Sequence, residues 1–288
     1  MAIVYLNGNF IPQEEAKISI MDRGFLFGDG VYEVIPVYNG HMLRFDQHLR
    51  RLKKSLQSIF ITPPLTNEEW FNILKKLLEL NQKSQGIQNL YLQITRGPQE
   101  NRNHEIPEHY VPTVLAFLVT PKIKPPEVLQ QGFTAITLDD SRRRDCYIKA
   151  ITLLPNILLY EQARRSGAAE AILIRNGEAI EGTSSNLFIV MKDTLITPPL
   201  THSILGGITR ELIIELAKKH DIPVKEAVIS LPMLKSANEI WLTGSSKEIL
   251  PVVRIDGEPV GNGLAGPLWY KMIGYYDQHK KQALQKRT

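Results

Sequence analysis

Tyr147-Ile148-Lys149-Ala150 is followed about thirty residues on by Ile180-Glu181-Gly182-Thr183-Ser184-Ser185-Asn186, and these two stretches decide how the rest of the chain is read. The lysine stands between Cys146-Tyr147-Ile148 and Ala150-Ile151-Thr152-Leu153-Leu154. Such an apolar setting would desolvate an ammonium and lower its pKa toward a nucleophilic amine. The acid opens a turn of glycine, threonine and serine. Taken alone, a lysine is usually a solvated charge and an E-G-T-S-S segment usually a plain loop.

Together they supply an amine able to form a Schiff base with an aldehyde and a carboxylate able to keep a ring nitrogen protonated. Those are the two demands of pyridoxal 5'-phosphate (PLP) chemistry. Lys149 and Glu181 are the candidates. A phosphate ester further needs helix N-terminal amides, hydroxyls and a cation. Leu205-Gly206-Gly207-Ile208-Thr209-Arg210 places two glycines before a helix, Thr243-Gly244-Ser245-Ser246 offers a hydroxyl-rich turn, and Arg51 on an early helix could bring the charge.

Composition fits an ordinary globular chain: 288 residues, 43% apolar and 22% charged, enough for one large domain or two modest ones. The first residues lack a charged segment followed by an apolar run, and apolar stretches such as Val114 to Val119 fall short of a membrane span, so a cytoplasmic protein is expected. A single cysteine, Cys146, excludes an intrachain disulfide and reads as a small apolar filler. The net charge of +4 is spread along the chain. Local enrichments at Arg142-Arg143-Arg144 and from Lys280 to Arg287 read as a solvated face and a frayed end, and no nucleic-acid partner is expected.

The organisation reads as α+β. Ile3 to Pro12 with Asn7-Gly8 is a hairpin, and Val31 to Tyr38 a strand followed by an Asn39-Gly40 turn. Apolar spacing predicts helices over Phe45 to Ile59 and over Trp70 to Leu80, the latter behind a Thr66-x-x-Glu69 cap. Asn89 to Arg96 and Val111 to Thr120 read as strands. Prolines at 121, 125 and 126 suggest a boundary, giving a smaller domain over 1–120, a linker over 121–126 and a larger domain over 127–288. The second part carries strands at Phe133 to Asp139, Ala171 to Ile174, Asn186 to Met191, Thr194 to Thr197, Val224 to Val228 and Glu239 to Thr243. Its helices are expected near Pro155 to Ser166, Thr209 to His220 and Leu231 to Ser236.

Asp22-Arg23-Gly24-Phe25-Leu26-Phe27-Gly28-Asp29-Gly30-Val31-Tyr32-Glu33, an Ile148-Lys149 strand, Glu181 to Asn186 and Gly207-Ile208-Thr209-Arg210 resemble the successive signatures of the class IV aminotransferases, the fold-type IV PLP enzymes. The resemblance runs essentially end to end. It implies a two-domain fold with a smaller N-terminal α/β sandwich and a larger C-terminal β-barrel-like, PLP-binding domain. It implies that Lys149 carries the cofactor and the proton, that Glu181 faces the pyridine nitrogen, and that Arg51, Ile208, Thr209 and Ser245 form the phosphate cup. The family commonly has threonine at the position of Ser245, and the hydroxyl survives. Tyr32 matches the phenol beside the Schiff base, and Leu205 a residue packed on the ring. Glu33 either adds charge to the site or stabilises a strand end.

Within the family the resemblance is to members that act on D-amino acids. With the lysine on one cofactor face, the position of the substrate carboxylate selects the enantiomer. Arg102-Asn103-His104 resembles a carboxylate trap completed by Tyr32 and reaching in from a partner subunit, which implies a homodimer. The loop is one residue longer before Arg102 than the family pattern, and Asn101 to His104 is polar enough to be an ordinary exposed loop. The implied reaction is ping-pong transfer between a D-amino acid such as D-alanine and a 2-oxo acid such as 2-oxoglutarate. Rival readings are a branched-chain L-amino acid aminotransferase, a 4-amino-4-deoxychorismate lyase and a non-enzymatic PLP-binding protein. No metal site is expected.

Overall fold

The computed structural model describes residues 2–81, 86–121 and 125–285. They cluster into two compact units, Met1–Pro121 with Ile148–Leu153 and Lys122–Tyr147 with Leu154–Thr288. Of the linker expected at 121–126, residues 122–124 lie outside the described residues.

In the first unit, β1 (Ile3–Leu6) and β2 (Asn9–Pro12) form a hairpin. Asn7 and Gly8 both sit at positive φ, 47° and 92°, the geometry a two-residue hairpin turn demands. After the short α1 (Arg23–Phe27) come β3 (Gly30–Tyr38), β4 (His41–Met42), α2 (Phe45–Ser58), α3 (Asn67–Leu80), β5 (Ile87–Thr95) and β6 (Thr113–Val119). The strands make an antiparallel sheet in the order β2-β1-β6-β5-β3-β4. Period-two alternation turns Val31, Ile35, Val37, Leu90, Leu92 and Ile94 into one core, met by Leu49, Leu52 and Leu56 of α2 and Trp70, Leu74 and Leu77 of α3. Each such side chain contributes about 1.5–3 kcal/mol of burial. Thr66 and Glu69 close the expected capping box at the start of α3. The other sheet face carries an aromatic row, with Tyr32 stacked on Tyr91 at 5.7 Å and Tyr91 against Phe117 at 4.8 Å.

The second unit starts with α4 (Pro126–Gln131) and β7 (Phe133–Asp139) and continues with α5 (Leu154–Arg165), β8 (Glu170–Arg175), β9 (Glu178–Gly182), β10 (Asn186–Met191) and β11 (Thr194–Thr197). Then follow α6 (Ile208–Lys219), β12 (Val224–Glu226), β13 (Ile229–Ser230), α7 (Leu231–Lys235), β14 (Glu239–Gly244), β15 (Glu248–Ile255), β16 (Glu258–Pro259) and α8 (Pro267–Gln285). Strands pair in the order β10-β14-β15-β7-β8-β9, and β9 pairs back to β10 through Glu181 and Asn186. The ring is therefore closed, as expected of a barrel-like domain, and closure removes its free edges. Alternation along β10 sends Leu187 and Ile189 into one core and Phe188 and Val190 into another. The latter is covered by Leu212, Ile213 and Leu216 of α6 and Trp269, Met272 and Tyr276 of α8.

Three expectations need correction. Ile148–Leu153 clusters with the first unit, not the second. It is fastened there by Tyr32 N–H to the Lys149 carbonyl (3.0 Å), Ile151 N–H to the Gly30 carbonyl (3.1 Å) and Lys149 N–H to Ser55 Oγ (3.2 Å). Lys149 also lies outside any strand, because pairing is limited to one bridge between Val31 and Ala150. The close approach requires glycine, since a Cβ on Gly30 would stand 2.7 Å from the Ile94 carbonyl oxygen and 3.0 Å from Ile151 Cδ1. The end expected to fray is instead helical through Gln285, and Lys280 pairs with Glu248 and Asp277, both at 2.7 Å. Residues 286–288 lie outside the described residues.

Candidate active site

In the first unit the Lys149 ammonium lies 4.1 Å from the centroid of the Tyr32 ring. Tyr32 points to the aromatic face of β3, so Tyr91 backs it, and burial pushes the Tyr91 phenol up to about 12. Tyr32 and Lys149, both named as site candidates, are thus brought together. Glu33, one residue on, faces α2. There it accepts from Arg51 Nε and Nη2 at 2.7 and 2.8 Å, and lies 2.8 Å from His48 Nδ1. This answers the question left by sequence about Glu33, which is completely buried and anchors α2. Burial raises its carboxyl, but the Arg51 pair and the His48 hydrogen bond outweigh that and hold it far below the carboxylate range.

His48 gives a pH prediction. Burial is the largest influence and lowers its pKa from 6.5 against the pull of Glu33, with Arg51 and Lys149 acting in the same direction as burial. A depressed histidine pKa means that the unfolded chain binds the proton first. Stability is therefore full above about pH 6.5 and falls as pH drops toward the folded-state value. Glu33 adds the same sign lower down, because its contribution is present above 4.5 and is lost through its folded pKa. The thermal midpoint should decline on acidification below about pH 6.5, and His48→Gln should flatten that decline between about pH 6.5 and 5. An identical slope in the variant would exclude His48 as its source.

Arg102 and His104, both exposed, meet on Phe27: the Arg102 guanidinium carbon is 5.0 Å from the ring centroid and the His104 ring 5.2 Å away. Among the described residues, no hydrogen bond or ring contact joins either to Tyr32.

In the second unit, closure of the barrel places Glu181 at the end of β9, 4% exposed. One oxygen accepts from Arg142 Nη1. The other accepts from the Leu205 N–H at 3.2 Å and Asn186 Nδ2 at 3.3 Å. Three donors leave one of a carboxylate's roughly four acceptor sites for another N–H. Arg142 was expected on a solvated face, yet its side chain is 5% exposed. Asp140 grips it from Nε and Nη2 at 2.8 and 2.9 Å, and Arg175 pairs with Asp140 at 2.8 Å. Burial pushes the Glu181 carboxyl up, and the Arg142 guanidinium and the Leu205 N–H oppose it. Arg142 is a buried partner of the candidate Glu181 that sequence reasoning missed. The signal available was an arginine seven residues before the lysine with an aspartate two residues before it.

Asn186 joins the Glu181 turn to the helix entry, donating also to the Leu205 carbonyl at 2.8 Å. Gly207 caps α6 without any side-chain hydrogen bond, so first-turn amides near Ile208 and Thr209 remain to meet an anion. A Cβ at Gly207 would stand 1.9 Å from Asn186 Oδ1, which explains glycine there. Ser245 lies half-buried in the turn from β14 to β15. Beside it Lys247 bonds Glu170 and, at 2.9 Å, Ser184 Oγ. Glu170 in turn accepts from Thr183 and Ser185, tying the two hydroxyl-bearing turns together. Cys146 is buried with its thiol 3.0 Å from the Arg143 carbonyl and its pKa raised by burial, as suits a filler. Among the described residues no cluster suited to a metal ion occurs.

The family model for "Amino-transferase class IV" matches residues 30–255. The chain belongs to the class IV aminotransferases. It is 40% identical to a D-alanine aminotransferase of Bacillus licheniformis over 92% of each chain, and 39% identical to one of Listeria monocytogenes over 95% of this chain and 94% of that one. A branched-chain amino acid aminotransferase from Escherichia coli superposes with a TM-score of 0.86 at 28% identity, covering 96% of this chain and 93% of the other. The corresponding T.th. enzyme, solved with pyridoxamine 5'-phosphate, gives 0.87 at 26% identity with the same coverage. Membership makes the protein an aminotransferase whose cofactor is PLP, as the motifs implied. The residues present fit that group: an uncapped helix start and hydroxyls for a phosphate, a buried carboxylate with room for one more donor, and an amine set on a phenol ring.

Proposed function

We propose that the protein transfers amino groups between a D-amino acid, D-alanine among them, and a 2-oxo acid such as 2-oxoglutarate, by a ping-pong route. The observation that carries this is the gathering of Arg102 and His104 on Phe27 in a chain 40% identical to a D-alanine aminotransferase. Bound PLP supplies an electron sink for the bonds at the substrate Cα. Lys149 would be the amine that holds the cofactor through its aldehyde, and the same amine would carry the proton taken from the substrate Cα. Glu181 keeps a proton at the pyridine nitrogen. Arg51, the first-turn amides at Ile208 and Thr209, and the Thr209 and Ser245 hydroxyls hold the phosphate; Leu205 packs on the ring. Arg102 and His104, with Tyr32, hold the substrate carboxylate on the side that admits the D enantiomer.

A homodimer is part of the proposal. It is supported by an exposed row on α5, Leu154, Ile157 and Leu158 at 65%, 59% and 56%, spaced as one helix face. Sedimentation should give twice the chain mass. The single cysteine suits the reducing cytoplasm, and no described helix is long and apolar enough to cross a membrane.

The deciding experiment is a single half-reaction. PLP-loaded protein is mixed with D-alanine or with L-leucine, and conversion to the pyridoxamine absorbance is followed. Conversion by D-alanine alone is expected. Conversion by L-leucine alone would make the protein a branched-chain L-enzyme, and a response to neither would raise the lyase.

A further inference from the structure

We propose that Arg23, seated on Phe27, is the positioning residue for carboxylate recognition: its guanidinium shapes the loop that carries Arg102 and His104. The inference rests on the proposed role of those two residues. Arg23 opens α1 and is 4% exposed, so its five N–H groups need partners within the protein. Nε donates to Asp29 Oδ2 at 2.8 Å. Nη1 donates to Gln99 Oε1 at 2.6 Å and to the Asn103 and Glu105 carbonyls at 3.1 Å, and Nη2 to the His104 carbonyl at 3.4 Å. The Arg23 N–H also holds the Gly97 carbonyl at 2.9 Å.

Three consecutive carbonyls converge on one cation only if the backbone curls around it, and 99–112 has no helix or strand to impose that shape. The Arg23 guanidinium carbon lies 4.9 Å from the Phe27 centroid, on the ring that also receives Arg102 and His104. Asp29 fixes the cation in turn. Burial raises its carboxyl, but the hydrogen bonds and charges of Arg96 and Arg23 outweigh this and keep it below the usual range. Arg96 anchors Asp29 by two hydrogen bonds, at 2.8 and 3.0 Å, and also holds the Ile59 and Phe60 carbonyls. A lysine could supply the charge but not the planar fork that serves the loop carbonyls on one side and Asp29 on the other.

The test uses PLP-loaded Arg23→Gln and Arg23→Lys, with D-alanine and D-alaninamide as donors, the second lacking the carboxylate. Arg23→Gln should raise KM for D-alanine about 10- to 100-fold, with kcat at saturation and the cofactor absorbance nearly unchanged. Kinetics with D-alaninamide should not move, and Arg23→Lys should recover only part of the loss. Should Arg23→Gln fail to fold, Phe27→Leu removes the shared ring and keeps the cation, and the same carboxylate-confined rise is expected. An unchanged KM for D-alanine in the folded variants, or an equal loss with D-alaninamide, overturns the proposal. Wild-type protein that ignores D-alanine overturns the proposed function along with it, whereas wild-type use of D-alanine beside unaffected variants overturns this inference alone.

Discussion

Lys149→Ala should lower turnover by about four orders of magnitude or more, because in the proposed role one amine serves both as covalent anchor and as proton carrier, and acid–base participation alone is commonly worth about 10²–10⁴-fold. The fold should survive. The segment around position 149 is held by backbone groups of Gly30, Tyr32 and Lys149 and by Ser55 Oγ, none of which involves the side chain that is removed. The parts of the second unit proposed to hold the phosphate are likewise untouched, so the variant should still take up PLP, now without a covalent link that borohydride can trap. A small primary amine added to the solution should restore part of the proton transfer, which separates loss of chemistry from loss of structure. Retention of a tenth of wild-type turnover would remove Lys149 from its role.

Glu181→Gln should keep PLP but slow proton abstraction about 10²–10³-fold, the usual loss when a group aimed at developing charge is removed. The substitution is nearly isosteric, and a glutamine oxygen can still accept from Arg142 or from Leu205 and Asn186. What it lacks is the charge that holds a proton on the ring nitrogen. It also leaves Arg142 facing Asp140 alone, where Arg142 now answers both Asp140 and Glu181, which together raise its pKa against burial. A buried guanidinium deprived of one counter-ion carries a stability cost, so thermal stability should drop alongside rate. Arg142→Gln, which leaves Glu181 buried opposite no cation, should destabilise at least as much. Unaltered proton abstraction in Glu181→Gln would show that the carboxylate is not at the ring nitrogen.

Chemistry that depends on residue type and short spacing was open to reading from the chain alone. Lys149 within an apolar run, Glu181 before a hydroxyl-rich turn, Gly207 before α6, the Asn7-Gly8 turn and the Thr66 to Glu69 cap are local patterns; the turn, the cap and the start of α6 formed as their patterns dictate, whereas the strand expected at Ile148-Lys149 did not. α8 was missed, although Trp269, Met272 and Tyr276 recur at helical spacing behind Pro267. Its charged C-terminal half masked the stripe.

Other features depend on residues that are remote in sequence, and only the tertiary structure decided them. Arg142 looks like part of a basic run, and it is buried because Asp140, Glu181 and, through Asp140, Arg175 converge on it when β9 closes against β10. Lys149 lies among residues of the second half and yet packs with the first unit, through a single bridge to Val31. Arg23 reads as one charge in a glycine-rich motif, and it becomes an organiser only when the 99–105 loop wraps its carbonyls around it. Periodicity and turn chemistry record what neighbours along the chain prefer. The partner that neutralises a buried charge is chosen by strand pairing and loop closure over long separations, where no local pattern carries the choice.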